Sequence, residues 1–216
     1  MKKGRFILAF AVVLPSFAAG PSTDIIETFD ELLEQATWRV GTQDKIDDEI
    51  GNPGKCLRNP DLDAAVPRPV FIGSSAFLGD YRAAGVTSLG IDVNIFAASI
   101  GVDHSRSITL VLASDMGTPD DPSDDCEVFF VGNRSLPRVG SGWQAYEFRV
   151  PSDRTRLPGG WSAGACAELS LDETWNAVIT HVTHVEFPFG DPGTAWFFQI
   201  WDLAIDNVRI TFRNPR

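Results

Sequence analysis

Asp206 stands where the apolar alternation in the last stretch of this chain changes phase. Within residues 201–212, Leu203 and Ile205 share one parity, whereas Val208 and the apolar residues after it share the other. Because the side chains of a strand alternate between two faces, both apolar sets reach one core only if the strand carries an extra residue here. Such a bulge would place the Asp206 carboxylate at the rim of a sheet. There it either serves binding chemistry or hydrogen-bonds the local backbone in a turn.

Four further carboxylates crowd one short segment, namely Asp120, Asp121, Asp124 and Asp125. A divalent cation would relieve their mutual repulsion. The segment nevertheless lacks the glycine and the glutamate that a helix-loop-helix calcium site carries at fixed positions. We therefore interpret residues 116–125 as an exposed, solvated loop.

The chain contains three cysteines, Cys56, Cys126 and Cys166. None has the surroundings of a catalytic nucleophile, and Cys126 begins an apolar run typical of a buried strand. In an oxidising compartment, three cysteines permit one disulfide and leave one thiol. The sequence does not select the pair.

Six tryptophans are many for a chain of 216 residues. Tryptophan is highly buried on average, so most of these rings are expected to pack in the core or at its rim. Exposed aromatic rings also stack on the faces of sugars. We predict that role for a small minority of the tryptophans at strand ends or in loops, with Trp143, Trp161 and Trp196 as the candidates.

The first residues have the layout of a secretory signal. Lys2, Lys3 and Arg5 precede an apolar run, and small residues follow it. The run is too short to span a bilayer, and no later segment is long and apolar enough to do so. We predict a signal peptide at residues 1–19 and a single domain at residues 20–216, secreted to the extracellular space or the periplasm.

The charge balance narrows the class of partner. The formal net charge is −11 at pH 7, and the sequence pI is about 4.6. Nucleic acids and anionic membranes attract basic surfaces, so neither is expected as a partner. Bound cations are compatible with this acidity, although acidity alone also keeps a secreted protein soluble.

Alternation with a period of two recurs through most of the chain. Residues 87–95, 108–113, 146–150 and 185–189 place apolar side chains at every second position, which is the pattern of half-buried strands. Residues 126–131 are apolar on both parities, as in a central strand.

Helical spacing is confined to short segments. Residues 172–182 carry apolar residues at helical spacing, and Ser170 with Glu173 has the spacing of a capping box. Residues 24–38 fit a helix or a strand, and we predict a strand followed by a helical turn. The whole pattern predicts an all-β fold, an antiparallel β-sandwich of the jelly-roll type with one or two short helices.

Prolines set two further expectations. Residues 59–69 contain three prolines and no periodicity, so we predict irregular structure there. Pro188 lies within the alternating residues 185–189 and indicates an edge strand.

Several short motifs follow one another in a recognisable order. They are Phe29-Asp30, Trp38, Gly51-Asn52-Pro53-Gly54, Phe77-Leu78-Gly79-Asp80-Tyr81, the strand at residues 89–95, and Ile205-Asp206-Asn207-Val208. In this order the chain resembles the laminin B (laminin domain IV) type of module, within the galactose-binding-like jelly rolls. The resemblance spans most of the chain after the signal and implies a non-catalytic extracellular domain.

The resemblance also implies a structural calcium ion. Many jelly rolls of this group hold calcium where the first strand, an early loop and the last strand meet. Similar placement here would use Asp30, carbonyl groups of the turn with Gly51 and Asn52, and Asp206. Such oxygen donors are those that calcium takes; the alternative is that Asp30 and Asp206 only cap turns.

Two functional hypotheses follow. The first is a secreted binding or adhesion module that recognises glycan or protein, with calcium as its structural ion. The alternative is a jelly-roll enzyme that degrades polysaccharide, as a glycoside hydrolase or lyase, with Asp92 and Glu147 as its acid/base pair. A hydrolase would need those carboxylates on either side of the scissile bond in a cleft. The sequence leaves the oligomeric state open.

Overall fold

The computed structural model describes residues 22–74, 76–103, 105–164, 166 and 169–213. The predicted signal peptide lies outside the described residues. In chain order the elements are β1 (Ser22–Glu27), β2 (Trp38–Arg39), β3 (Lys45–Gly51), β4 (Gly54–Ala64), β5 (Val70–Phe71), α1 (Tyr81–Ala84), β6 (Val86–Ala98), β7 (Ser107–Ser114), β8 (Cys126–Ser135), β9 (Gln144–Arg149), β10 (Trp161–Ala163), α2 (Leu171–Thr180), β11 (His184–Glu186) and β12 (Gln199–Arg213).

Within the described part of the chain, the strands form two antiparallel sheets of six strands each. One sheet has the order β3-β4-β12-β6-β9, with β1 added beside β12. The other has the order β10-β8-β7-β11-β5-β2. The two sheets enclose the core between them, so the predicted antiparallel β-sandwich with two short helices is confirmed.

The last strand, β12, organises the first sheet. Along one side it pairs with β6 over nearly its whole length. Along the other side it pairs first with β4, as far as Ile205, and then with β1, from Val208 onward. The predicted bulge falls in this gap between the two neighbours, because the register with β6 shifts between Asp206 and Arg209. Asn207 sits there at a φ of 46°.

Large side chains from both sheets fill the core. Ile91 and Val93 of β6 and Leu110 of β7 are fully buried, as alternation with a period of two predicts. Trp38 packs against the rings of Phe71, Phe77 and Phe187 with centroids 5.2–5.5 Å apart. Further ring pairs join Phe130 to Phe148 and Trp161 to Trp175.

Helix α2 begins where the sequence predicted it. The Ser170 side chain accepts a hydrogen bond from the Glu173 N–H, and the Glu173 carboxylate accepts one from the Ser170 N–H. This capping box satisfies backbone donors that the first turn leaves free. The helix buries Trp175, Val178 and Ile179 against the sandwich.

Of the two expectations based on proline, the edge strand was wrong, and the irregular structure holds for residues 65–69 but not for residues 59–64. Residues 59–64 continue β4, because an extra residue in this strand opposite Asp202 accommodates Pro60 as a bulge. Strand β11 lies between β7 and β5 rather than at an edge, and the Pro188 carbonyl beyond it still accepts a hydrogen bond from the Thr109 N–H.

Cys126 and Cys166 form a disulfide, and Cys56 is a buried free thiol. The predicted count of one disulfide and one thiol is therefore confirmed. No helix among the described residues has both the length and the apolar character needed to cross a bilayer.

Candidate functional site

The Asp206 carboxylate is buried beneath the turn between β3 and β4 rather than exposed at the rim of the sheet. The residue has an exposed fraction of 0%. Its Oδ2 accepts a hydrogen bond of 2.6 Å from the Asn52 N–H, and its Oδ1 accepts one of 2.7 Å from the Asn207 N–H. The bulge in β12 thus turns this side chain toward the turn between β3 and β4. The expected exposed rim position was wrong because the turn between β3 and β4 covers this side chain.

The same turn is tied to β12 through Asn207. Its Nδ2 donates to the Asn52 carbonyl and, at 3.0 Å, to Oδ2 of Asp92. Asn52 also donates to that Asp92 oxygen through its own Nδ2, at 3.0 Å. The two asparagine side chains therefore bridge the turn, the bulge and strand β6.

Asp92 is paired with Arg209, whose Nη1 lies 3.0 Å from Asp92 Oδ1. The guanidinium group covers Gly90, where a Cβ atom would approach Arg209 Cζ to 2.6 Å. A second nitrogen of Arg209 donates to the Tyr146 carbonyl at 3.2 Å. Asp92 thus has a hydrogen-bonding partner at both of its oxygens.

Burial raises the pKa of Asp206 to about 6. The hydrogen bonds from the Asn52 and Asn207 N–H groups oppose this change, while the nearby charges of Asp92 and Asp30 add to it. The ionised carboxylate is therefore held in surroundings that favour an additional cation or a proton.

The structure brings the predicted calcium ligands to one place. The Asp30 carboxylate borders the turn, since a Cβ atom on Gly54 would lie 3.6 Å from its Oδ1. Gly51 and Asn52 belong to that turn, and Asp206 faces it. Carboxylate and carbonyl oxygens are the donors that calcium prefers, so the chemistry of this donor set fits the ion.

The same site also shows what opposes metal binding. Each Asp206 oxygen already accepts one N–H, and the Asn52 carbonyl accepts from Asn207. Across the described residues, no group of three or more His, Cys, Asp or Glu side chains stands close enough together to hold a metal ion. A calcium ion here would depend on two carboxylates and on backbone oxygens, and it stays a prediction.

The acid/base pair required by the enzyme hypothesis lines none of the clefts described below. Asp92 is buried and bonded to Arg209, Asn52 and Asn207. Glu147 is exposed on the neighbouring strand β9. Asp92 would have to lose these partners before it could transfer a proton.

A cleft of about 490 Å³ opens where β6 ends and β12 begins. Residues 100–103, 105, 106, 194–197 and 199 form its walls. Gln199 fixes them to each other, because its Oε1 accepts a hydrogen bond of 3.0 Å from the Ile100 N–H. The cleft is therefore held by hydrogen bonds between its own walls. We call it the aromatic cleft, after the rings described next.

Arg106 is a buried residue of the cleft lining that packs against two tryptophan rings. Its guanidinium lies 4.1 Å from the ring centroid of Trp196 and 5.1 Å from that of Trp201. One of its nitrogens donates to the Ala65 carbonyl, and the residue is only 3% exposed. Burial lowers the pKa of Arg106 to about 10, and the charge of Asp103 partly opposes this. The stacked cation fixes the Trp196 ring in one orientation.

The rim of the aromatic cleft carries large exposed apolar side chains. The exposed fraction is 85% for Phe197 and 70% for Ile100, which line the cleft, and 72% for Phe198, which follows Phe197 in the chain but is not part of the lining. Ile200 is also exposed but does not line the cleft, and its N–H is bonded to Ser99 Oγ at 3.1 Å. Apolar side chains grouped at a rim in this way are typical of an interaction site.

The three candidate tryptophans have different surroundings. Trp161 is buried against Phe130 and Trp175. Trp143 is half-buried and donates from Nε1 to the Ile50 carbonyl at 2.9 Å. Trp196 is half-buried and lines the aromatic cleft. Their predicted role in ligand binding stays a prediction.

Sequence reasoning missed Phe197 and Phe198, the most exposed of these rings. The signal was available, because two adjacent phenylalanines follow Trp196 and occupy opposite parities. Both cannot point into one core in an extended segment.

No family model matches the sequence, and no curated protein matches it. Solved structures do resemble the fold. The L4b domain of human laminin alpha-2 aligns with a TM-score of 0.40 and 11% identity, over 74% of this chain and 71% of that one. The CBM22-1 xylan-binding domain from Paenibacillus barcinonensis Xyn10C aligns with a TM-score of 0.44 and 10% identity, over 92% of this chain and 100% of that one.

An exo-beta-agarase aligns with a TM-score of 0.46 and 14% identity, over 88% of this chain. The alignment covers 24% of the agarase chain, so this protein spans about a quarter of that enzyme's length. A laminin domain and a xylan-binding module are thus among the solved structures that resemble this chain in fold.

Proposed function

We propose that this protein is a secreted, non-catalytic module that binds glycan in the aromatic cleft, with a structural calcium ion held by Asp30, Asp206 and the turn of Gly51 and Asn52. The observation that supports glycan binding is the combination of a preformed cleft with exposed rings beside polar groups. Sites for small ligands are generally concave, with apolar walls and a few fixed polar groups.

The rings and polar groups of the aromatic cleft suit a sugar. Phe197 presents a ring face that the apolar face of a pyranose would cover. Gln199, Asp103 and Ser105 lie in the same lining and offer groups for sugar hydroxyls. Covering Phe197 would remove apolar surface from water, which stabilises the complex.

A protein partner is the second candidate. Beyond Ile100 and Phe197 in the cleft, Phe198 and Ile200 extend the exposed apolar surface along the chain. Aromatic side chains grouped in this way are also enriched at protein interfaces. A protein ligand would cover all four side chains, whereas a sugar would cover one or two rings.

Two features support secretion. The signal-like residues at the start of the sequence have the layout of a cleaved leader. The Cys126–Cys166 disulfide is of the kind that persists in oxidising compartments.

A glycan array of the mature protein, with and without chelator, tests the proposal. We expect neutral oligosaccharide binding that Phe197→Ala reduces about five- to thirtyfold, since one stacked ring supplies on the order of 1–2 kcal/mol. Leu32→Ala is the matched control, because it truncates an exposed apolar side chain outside the aromatic cleft. A wild-type protein that binds no glycan on the array, while it binds a protein through Phe197 and Phe198, would decide for the second candidate.

A further inference from the structure

A second cleft, of about 610 Å³, lies at the opposite end of the sandwich. It opens beside the first residues of β6 and the last residues of β9 and β12, whereas the aromatic cleft opens where β6 ends and β12 begins. Four arginines line it: Arg149, Arg154, Arg156 and Arg213. We call it the arginine cleft.

The arginine cleft is unusual in a protein of net charge −11. Asp153 is the single acidic residue in its described lining. It pairs with Arg213 at 3.6 Å, and both side chains are more than half exposed. Exposed ion pairs of this kind contribute little to stability. Positive charge therefore dominates the cleft.

The other three arginines have no ion-pair partner among the described residues. Arg149, Arg154 and Arg156 are all exposed, and none forms a salt bridge there. Like charges gathered around one cavity repel one another unless an anion lies between them. Folding alone gives no reason to gather them.

The loop that carries Arg154 and Arg156 is fixed in place by both helices. Arg82 of α1 and Trp175 of α2 donate to the Arg154 carbonyl, at 2.7 and 2.9 Å. Asn176 of α2 donates to the Thr155 carbonyl at 2.7 Å. The backbone of this loop is therefore ordered before any ligand arrives, which lowers the entropic cost of binding.

The shape and walls of the cleft select among anions. Guanidinium groups bind planar or tetrahedral oxyanions through paired hydrogen bonds. Leu157, Pro151 and Pro158 supply apolar walls beside them. A cavity of this size holds a short oligomer. A nucleic acid needs a positive surface that extends along many phosphates, and the acidity of the remaining chain opposes that.

We propose that the arginine cleft binds a short acidic oligosaccharide through the carboxylate or sulfate groups of its sugars. The bound oxyanions neutralise Arg149, Arg154 and Arg156, and the sugar rings lie against the apolar walls. This site is distinct from the aromatic cleft, and the inference does not depend on neutral glycan binding there.

Calorimetric titration of the mature protein with tetragalacturonate tests the proposal, with a sulfated galactose tetrasaccharide as a second probe. We expect at least one of them to bind, with an affinity that falls as salt is added. The stronger probe identifies the oxyanion. The methyl ester of tetragalacturonate keeps the shape without the charge, so it should bind at least about tenfold more weakly.

Arg156→Gln should weaken binding of the acidic probe about tenfold, because it removes one charge-assisted contact. Arg138→Gln is the matched control, since Arg138 is an exposed arginine that does not line either cleft. It should change the affinity less than twofold. Phe197→Ala should bind the acidic probe as the wild type does, even if the neutral-glycan proposal fails.

Several outcomes would overturn the proposal. They are the absence of binding to both acidic probes, equal binding of the methyl ester, and equal losses in Arg156→Gln and Arg138→Gln. Tighter binding of single-stranded DNA than of either sugar would assign the cleft to nucleic acid instead. If the melting temperature of each variant equals that of the wild type, a loss of binding is not explained by a loss of folding.

Discussion

At the scale of single residues, Asp206 illustrates how a buried carboxylate is retained in a β-sandwich. Burial of a charge is costly unless hydrogen bonds compensate it. Asp206 accepts two short hydrogen bonds, one from the Asn52 N–H in the turn between β3 and β4 and one from the Asn207 N–H in the bulge of β12. Both donors are backbone groups that would lack a partner without it. The side chain therefore closes the gap that β12 leaves where its neighbour changes from β4 to β1.

Replacing Asp206 by alanine should destabilise the protein. The change leaves the N–H groups of Asn52 and Asn207 without their acceptor, and each such loss costs about 1–3 kcal/mol. We expect a decrease of about 2–4 kcal/mol in the free energy of unfolding, measured by urea denaturation in the presence of chelator. Asp24→Ala, an exposed carboxylate on β1, should change it by less than about 0.5 kcal/mol. Equal effects of the two substitutions would contradict the role of Asp206.

The raised pKa of Asp206 predicts a pH dependence of stability. A carboxyl group whose pKa is higher in the folded protein favours folding while it is protonated. Its contribution is complete below the ordinary value of 3.8 and is lost as the pH rises through about 6. In chelator, the free energy of unfolding of the wild type relative to Asp206→Asn should therefore fall between pH 4 and pH 7. A difference that stays constant over this range would contradict the raised pKa.

At the scale of elements, the turn between β3 and β4 joins the bulge of β12 to the rest of the first sheet. This turn has no room for a side chain at residue 51, because a Cβ atom on Gly51 would lie 2.3–2.4 Å from backbone atoms of Gly54 and Lys55. Asn52, which donates to Asp206 and to Asp92, is the next residue. The position of the turn therefore depends on glycine at residue 51.

Gly51→Ala should open this turn and weaken its bonds to β12. The steric overlap involves backbone, which cannot move without displacing Asn52, so we expect a loss of about 1–3 kcal/mol in stability by urea denaturation. Gly159→Ala is the control, because a Cβ atom there would meet nothing within 4 Å. If the two variants unfold at the same urea concentration as the wild type, the turn tolerates a side chain.

The sequence predicted some elements and missed others for physical reasons. The bulge in β12 was visible because the apolar parity changes at Asp206. Strand β3 was missed because an edge strand needs no continuous apolar face, and its charged residues indicate a loop by composition. The end of β4 was missed because Pro60 breaks the pattern, although a bulge accommodates it.

At the scale of the whole molecule, contacts between distant segments decided what local patterns left open. The disulfide pair was one such case, since three cysteines allow three pairings and only the fold brings Cys126 beside Cys166. The clefts are another case. Phe197 lines one cleft, and Arg154 and Arg156 line the other, only because strand ends far apart in sequence meet.

The disulfide should be measurable in the secreted protein. Thiol titration of the denatured, unreduced protein should find one thiol, from Cys56. Cys166→Ser should lower the free energy of unfolding by about 2–4 kcal/mol, since the bond closes a chain separation of 40 residues. The control is the chemically reduced wild type, whose free energy of unfolding should fall by a similar amount. Cys56→Ser is not a neutral control, because that thiol is buried. Three thiols in the exported protein would contradict the pairing.

Calcium should stabilise the whole molecule if it binds where Asp30, Asp206 and the turn of Gly51 and Asn52 meet. An ion that binds only the folded protein adds RT ln(1 + [Ca²⁺]/Kd), about 2.7 kcal/mol at a hundredfold excess over Kd. The melting temperature should therefore rise with millimolar calcium and fall again with chelator. Asp30→Asn is the sharpest variant, because Asp30 is exposed and its removal leaves the bonds of Asp206 intact. It should abolish most of the rise in melting temperature while it hardly changes the melting temperature in chelator.

Asp124→Asn, in the exposed loop at residues 116–125, is the control and should keep the full rise with calcium. A rise lost in Asp124→Asn and kept in Asp30→Asn would move the ion to that loop, and a wild-type melting curve indifferent to calcium and to chelator would leave Asp30 and Asp206 as residues that only hold the turn.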